Sequence, residues 1–251
     1  MDAQGTKVNN FTFVIPYFNS GNDIVKTLHS MMAQSYENWR AILIDDLSTD
    51  ETPQLVKDVC NSSYYKNKFS FVSNTEKHGE VRNTLKSIES IDDQDVVCRL
   101  DGGDWLLEND LLWIMNNLYS NPKLAVAWTA HRWSYTTQNI SAPLNLIGNQ
   151  TVYKHPWVSS HLKTFRCRQL RKVPEANFKT DDGEYIMIAC DQAVFLPMMH
   201  VSIQEEMELK FVPIVAYHYN IDLGNKNLFT SPRALNQKMS AEMIRQRGFI
   251  S

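Results

Sequence analysis

Asp101 and Asp104 stand three residues apart in Arg99-Leu-Asp101-Gly-Gly-Asp104-Trp105, at the end of a short apolar run. Two carboxylates on one tight turn can face a single hard cation, and a divalent ion held that way can carry the phosphates of a nucleotide. Gly102 and Gly103 let the backbone turn sharply and leave space beside it for something bulky. The same residues also fit an acidic surface loop with a helix cap, so the turn has to be weighed against the elements around it.

Those elements are regular in the first half of the chain. Phe11–Ile15 reads as a strand closed by Pro16, and 23–34 as a helix with Ile24, Leu28 and Met31/Met32 on one face. A second strand, Trp39–Ile44, ends at Asp45-Asp46. Pro53 then suits the first turn of a helix that turns Leu55, Val56 and Val59 inward. Phe69–Ser73 is a third strand, followed by a helix with Val81, Leu85 and Ile88. Asp95–Leu100 is a fourth, leading into the acidic turn, and 109–119 is another amphipathic helix. Such alternation predicts a mostly parallel sheet flanked by helices, with ligands at the carboxyl ends of the strands. Asn19, Asp46 and Asp101 all follow strand ends, which favours a site over coincidence. Beyond a fifth strand, 124–129, the residues 135–154 read as a long loop of the kind that binds or covers ligands. Order returns with a helix near 191–200, a strand at 211–219 and a helix near 233–247.

Composition narrows the function. The 251 residues carry a net charge of −3 and are 43% hydrophobic, which fits one large α/β domain and disfavours nucleic acid as a partner. The basic cluster Lys163, Arg166, Arg168, Arg171 and Lys172 reads as a solvated face, or else as a contact for an anionic ligand. The four cysteines lack Cys-x-x-Cys spacing, so structural zinc is not expected. No apolar leader or membrane-spanning run is visible, and a reducing, cytoplasmic location is expected. The four Asn-x-Ser/Thr sites, the first at Asn10, are then expected to go unused. Neither Gly-x-Gly-x-x-Gly nor Gly-x-x-x-x-Gly-Lys-Ser/Thr follows the first strand, which disfavours a dehydrogenase and an ATPase.

Val14-Ile-Pro16-Tyr17-Phe18-Asn19 resembles the first strand of family 2 glycosyltransferases of the GT-A fold. Ile44-Asp45-Asp46-Leu47-Ser48-Thr49-Asp50 resembles their second-strand signature, and Gly79-Glu-Val-Arg82-Asn83 their Arg-Asn element. Asp101–Trp105 takes the place of their metal-binding aspartates, with Gly103 where the common Asp-x-Asp-Asp pattern has an acid. The remaining Asp-x-x-Asp pair is similar to that of collagen glucosyltransferase domains. Four motifs in the family's order cover about residues 11–130, with weaker similarity to about 225.

The resemblance implies a single Rossmann-like GT-A domain over 1–251. Its nucleotide-sugar half is 11–130, its acceptor half 131–225, and 226–251 is a C-terminal helix. Pro16, Tyr17 and Phe18 would border the base, Asp46 would accept from the uracil N–H, and Arg82 would approach the nucleotide, unless Asp46 merely caps a helix and Arg82 makes a structural ion pair. Asp101 and Asp104 would hold Mn²⁺ or Mg²⁺, with Asp101 on the metal or the ribose. His218 is the candidate third metal ligand and Asp222 the alternative. Asp191 falls where the family has its catalytic base, and its apolar flank, 185–199, would raise its pKa to suit that role; the other reading is a helix N-cap. Trp157 and His161, in a Ser-His-Leu-x-Thr-Phe segment, are candidates for the acceptor. The activity implied is transfer of a hexose from a UDP-sugar, UDP-glucose first, to a hydroxyl of a glycan or glycoprotein such as galactosyl-hydroxylysine of collagen. The rivals are an inverting transferase using another UDP-sugar on a polysaccharide, a non-catalytic glycan- or protein-binding module, and a sugar nucleotidyltransferase. The last is disfavoured because Pro16–Gly21 carries no basic residue. A homodimer through the last helix, by Leu235, Met239 and Met243, is one use of that face; packing on the domain is the other.

Overall fold

A computed structural model describes residues 8–134, 139–220 and 232–251. Eight strands form one sheet: β1 (Phe11–Tyr17), β2 (Trp39–Asp45), β3 (Phe69–Ser73), β4 (Val96–Arg99), β5 (Trp105–Leu106), β6 (Leu124–Trp133), β7 (Lys163–Arg166) and β8 (Glu208–Tyr219). The helices are α1 (Asp23–Met32), α2 (Thr52–Ser62), α3 (Gly79–Ile88), α4 (Leu111–Tyr119), α5 (Cys167–Arg171), α6 (Cys190–Gln204) and α7 (Pro232–Arg247). The strand order is β3-β2-β1-β4-β7-β6-β8-β5. The first four strands are parallel, as the alternation of strand and helix requires. The sheet as a whole is mixed, because β7 runs antiparallel to both β4 and β6, and β5 antiparallel to β8.

Alternation along the strands divides the core between two faces. Phe11, Phe13 and Ile15 pack with Ile24, Leu28, Leu112 and Met115 under α1 and α4. Val14, Ile42, Ile44 and Val97 pack with Val81, Phe165 and Phe195 under α3 and α6. The basic cluster is not one solvated face. Lys163 and Arg166 are 1% exposed because β7 is a central strand. Arg166 spends its charge on backbone carbonyls, with Nε donating to Leu124 O at 3.0 Å and Nη2 to Tyr119 O at 2.7 Å. All four cysteines are buried free thiols. Among the described residues no helix is long and apolar enough to cross a membrane. Leu235, Met239 and Met243 on α7 are exposed.

Candidate functional site

The acidic turn is built by close backbone approach. Gly102 N donates to Pro16 O at 3.1 Å, and a Cβ on Gly102 would lie 2.4 Å from Tyr17 Cβ. Gly103 has φ +107°, a conformation L side chains rarely adopt, and its amide donates to Thr27 Oγ1 at 2.9 Å. The family's acid is therefore missing at a position whose backbone calls for glycine. Asp101 keeps a third of its side chain exposed and pairs through Oδ1 with Arg99 Nη1 at 2.9 Å. Asp104 is turned inward: Tyr217 OH donates to Oδ2 at 2.6 Å and the Asn220 amide to Oδ1 at 2.9 Å. Burial, and then the neighbouring Asp101, push the Asp104 pKa up to about 8.

Asp101 penalises the charge of Asp104, and a divalent cation at the turn would relieve that penalty, although both Asp104 oxygens already accept hydrogen bonds. Among the described residues no three His, Cys, Asp or Glu side chains gather into a metal-binding group. Phosphate oxygens of a ligand and water would have to complete the shell. His218 does not join the pair. Its ring stacks on Trp105 at 3.9 Å, Nδ1 accepts from Arg132 Nε at 3.3 Å, and Nε2 lies 3.1 Å from Ser134 Oγ. Both ring nitrogens are thus engaged, for a reason visible in the sheet: His218 is the register partner of Trp105 across β5 and β8. Asp222 lies outside the described residues.

Beside the turn lies a buried ion network. Arg99, 3% exposed, pairs with Glu80 from α3 as well as with Asp101. In the next strand, Lys163 Nζ lies 2.5 Å from Asp191 Oδ1 at the first turn of α6. Burial raises the Glu80 pKa to about 7 against the pull of Arg99. For Asp191 the balance is opposite. Burial alone would raise its pKa, but Lys163 above all, then His161, hold it down at about 2. The apolar flank of Asp191 therefore does not set its pKa, and the expected rise is corrected by the cation beneath it. The helix cap reading also lacks support, since α6 begins after Ala189 in the left-handed conformation, with no side-chain cap.

Asp101, Asp191, Trp157 and His161 line one open cavity of about 980 Å³, together with Glu80, Trp133, Tyr219 and a face of α7 that includes Lys238 and Glu242. His161 stacks between Tyr217 and Tyr219, at 4.7 and 4.9 Å. Burial and then Lys163 lower its pKa to about 3, so it is a neutral ring. Glu80, Trp133 and Tyr219 escaped the sequence reading, and Lys163 entered it only as a member of the basic cluster. Glu80 sits inside the Gly79–Asn83 motif, where Arg82 drew the attention, and Lys163 lies two residues after His161.

The proposed base-binding residues form a separate corner at the ends of β1 and β2. Phe18 is exposed, and Lys77 Nζ lies over its ring. Asp46 receives the His78 amide at 2.9 Å on Oδ1 and the Gly79 amide at 3.1 Å on Oδ2, so it anchors the start of α3 rather than α2. Burial opposes its charge, but these bonds and those of Asn83 and Asn74 keep its pKa below the ordinary value. Tyr17 is 6% exposed and packs against Gly102. Pro16 is half-buried. Arg82 turns to Glu76, Nη1 to Oε1 at 2.9 Å, with its guanidinium 5.8 Å from the Tyr185 ring centroid, so a structural ion pair is among its contacts.

The family model for glycosyl transferase family 2 matches residues 12–176. A putative glycosyltransferase, EpsE, of Bacillus subtilis is 28% identical over 91 residues, 36% of this chain and 32% of that protein. A poly-beta-1,6-N-acetyl-D-glucosamine synthase of Staphylococcus aureus is 28% identical over 124 residues, 49% of this chain and 29% of the synthase. The chain thus matches about a third of the length of these relatives. Among solved structures, S. aureus TarS 1–349 in complex with UDP-GlcNAc superposes with a TM-score of 0.65 at 16% identity, covering 88% of this chain and 61% of that one. The mannosyltransferase PcManGT of Pyrobaculum calidifontis, in complex with GDP-Man and Mn²⁺, gives 0.66 at 13%, covering 98% and 66%. At these identities the likeness shows the fold, a GT-A arrangement of a curled, mixed sheet with helices on both sides.

Proposed function

The chain belongs to glycosyl transferase family 2, and from that premise we propose that it transfers a hexose from a UDP-sugar to a hydroxyl of a glycan or glycoprotein. The observation that carries this reading is the meeting of Asp101 and Asp191 in one cavity, from segments 90 residues apart by number, with the aromatic rings of Trp133, Trp157 and Tyr219 in the same lining. TarS in complex with UDP-GlcNAc and the glucosamine-polymer synthase favour a UDP-linked sugar. UDP-glucose remains in the donor panel beside UDP-N-acetylglucosamine and UDP-galactose. The galactosyl-hydroxylysine acceptor rests on the Asp-x-x-Asp similarity alone.

In this reading Phe18 and Asp46 border the uracil, and Asp101 faces the diphosphate. A Mn²⁺ or Mg²⁺ ion held at Asp101 and Asp104 would supply positive charge to offset what gathers on the departing UDP. Trp157 and Tyr219 offer flat apolar faces to a sugar ring, and neutral His161 offers no charge to compete with the donor. Asp191, kept ionised, takes the proton of the acceptor hydroxyl as that oxygen bonds to the anomeric carbon. A carboxylate of low pKa is adequate there, because the hydroxyl becomes strongly acidic only as the bond forms. A carboxylate acting as base on the acceptor hydroxyl is what an inverting displacement needs.

The test is UDP release from each donor, with and without Mn²⁺, for wild type and Asp191→Asn. One donor is expected to be turned over, and Asp191→Asn to lower kcat by about 10²–10⁴. UDP bound without turnover of any donor, across a panel of glycan acceptors, would favour the non-catalytic module. The inward-facing Asp104 is the observation on that side.

A further inference from the structure

We infer that Lys163 is a positioning residue for the transfer, fixing the Asp191 carboxylate at the cavity floor from beneath the sheet surface. The inference rests on the transferase reading for its catalytic meaning and on geometry for its substance. In the antiparallel register of β4 and β7, Lys163 stands directly opposite Arg99, so two buried cations are cross-strand neighbours on one face. Like charges in that relation repel, and each has to be neutralised separately. Arg99 is covered by Glu80 and Asp101. Among the described residues, the carboxylate paired with Lys163 is Asp191.

The exposures differ in a useful way. The Lys163 side chain is 2% exposed and that of Asp191 29%, so the amine holds the acid from the protein side while the acid lines the cavity. The contact that holds the acid is Nζ to Oδ1 at 2.5 Å. Phe195 lies 5.1 Å from Nζ and closes the apolar side. The backbone adds to this placement. Asp191 follows Ala189, whose φ of 58° aims the first turn of α6, and strain of this kind persists only where the surroundings impose it. The groups that face Asp191 come from several elements. Lys163 on β7, His161 beside it and Arg99 on β4 act on its carboxyl. Glu80 on α3, Asp104 on the acidic turn, His131 on β6 and Tyr219 on β8 feel its charge in turn, and Asp101 lines the same cavity. His131 and His161 are neutral rings, so Lys163 is the nearest cation.

The experiment compares wild type, Lys163→Met and Lys163→Arg by three readouts: thermal unfolding, the pH–rate profile with the preferred UDP-sugar, and carbon-13 titration of the Asp191 carboxyl. Lys163→Met is expected to move the Asp191 titration and the acid limb of the profile up by about one pH unit or more. It should lower kcat by about tenfold or more while the donor KM changes little, because the donor site at Asp46 and Asp101 is untouched. Lys163→Arg should restore most of kcat. A folded Lys163→Met protein whose titration and profile match wild type overturns the inference. If wild type turns over no donor, the transferase reading fails, and the carboxyl titration still decides the pairing on its own. Should Lys163→Met not fold, the double variant with Asp191→Asn is expected to fold, because no stranded carboxylate remains. A double variant as unstable as the single one overturns the pairing.

Discussion

Gly102 carries more of the site than its missing side chain suggests. Any Cβ there meets Tyr17 at 2.4 Å, so the acidic turn and the end of β1 can lie together only with glycine between them. Gly102→Ala is expected to destabilise the fold by about 1–3 kcal/mol in urea unfolding, and to displace Asp101 enough to weaken UDP binding. An unchanged midpoint would show that the contact yields freely. The two buried histidines give a pH prediction. His161 and His131 fall from an ordinary 6.5 to about 3 and about 4 in the fold, with burial the largest cause for each. Between those values the unfolded chain binds protons that the folded one does not. Their stabilising share is therefore complete above pH 6.5 and is lost as pH falls through 6.5 toward 4 and then 3, by up to about 1.4 kcal/mol per pH unit for each ring. Urea midpoints at pH 7.5 and 5.5 measure it, and His161→Phe, which keeps the stacking on Tyr217 and Tyr219, should flatten the difference. That comparison also separates the histidine from Glu80 and Asp104, whose raised pKa values act in the opposite sense. Residues within motifs were legible: Asp101, Asp191, Trp157 and His161 do share a cavity. Lys163 and Glu80 were not, because charge alone marks a side chain as solvated; strand pairing is what buries Lys163, and Glu80 is brought to Arg99 by the packing of a helix.

At the scale of elements, the first four strands and their helices followed from apolar spacing, since each is long enough for its period to be read. β7 did not. Its four residues carry a cationic side chain at each end, a pattern that suits an edge or a loop, yet all four are buried between β4 and β6. Arg166 makes this tolerable by bonding the carbonyls of Tyr119, Asn121 and Leu124, which end α4 and begin β6. Arg166→Leu strips those buried acceptors of a donor and is expected to cost about 1–3 kcal/mol or more, read from thermal and urea unfolding. A neutral result would mean that water replaces the guanidinium. α6 was expected, but the sequence places it short of its full extent, Cys190–Gln204. It is buried on nearly every side, so no polar face marks where it ends. The joints between elements escaped altogether. Asn19, Leu47 and Ala189 all have positive φ beside β1, β2 and α6, and none is a residue whose type announces it strongly except Asn19.

Across the whole molecule, the division at residue 130 into a nucleotide half and an acceptor half does not correspond to separable bodies. β6 runs through that boundary, and β7 joins the strands on either side of it into one sheet. Loss of donor turnover and loss of far-ultraviolet dichroism are therefore expected to coincide in urea. Activity lost well before the dichroism would show that the acceptor half melts independently. The placement of β7 also has a meaning for the order in which the chain is made. β1 to β4 leave the ribosome together and can pair at once, but the slot beside β4 stays empty until residue 166 has emerged, and Asp104 finds Tyr217 and Asn220 only some fifty residues later. A nascent chain thus passes through a stage in which β1 to β4 can be paired while the acidic turn still lacks its anchors and Arg99 its cross-strand neighbour Lys163, and in that stage β4 presents an open edge of the kind that invites pairing with another chain.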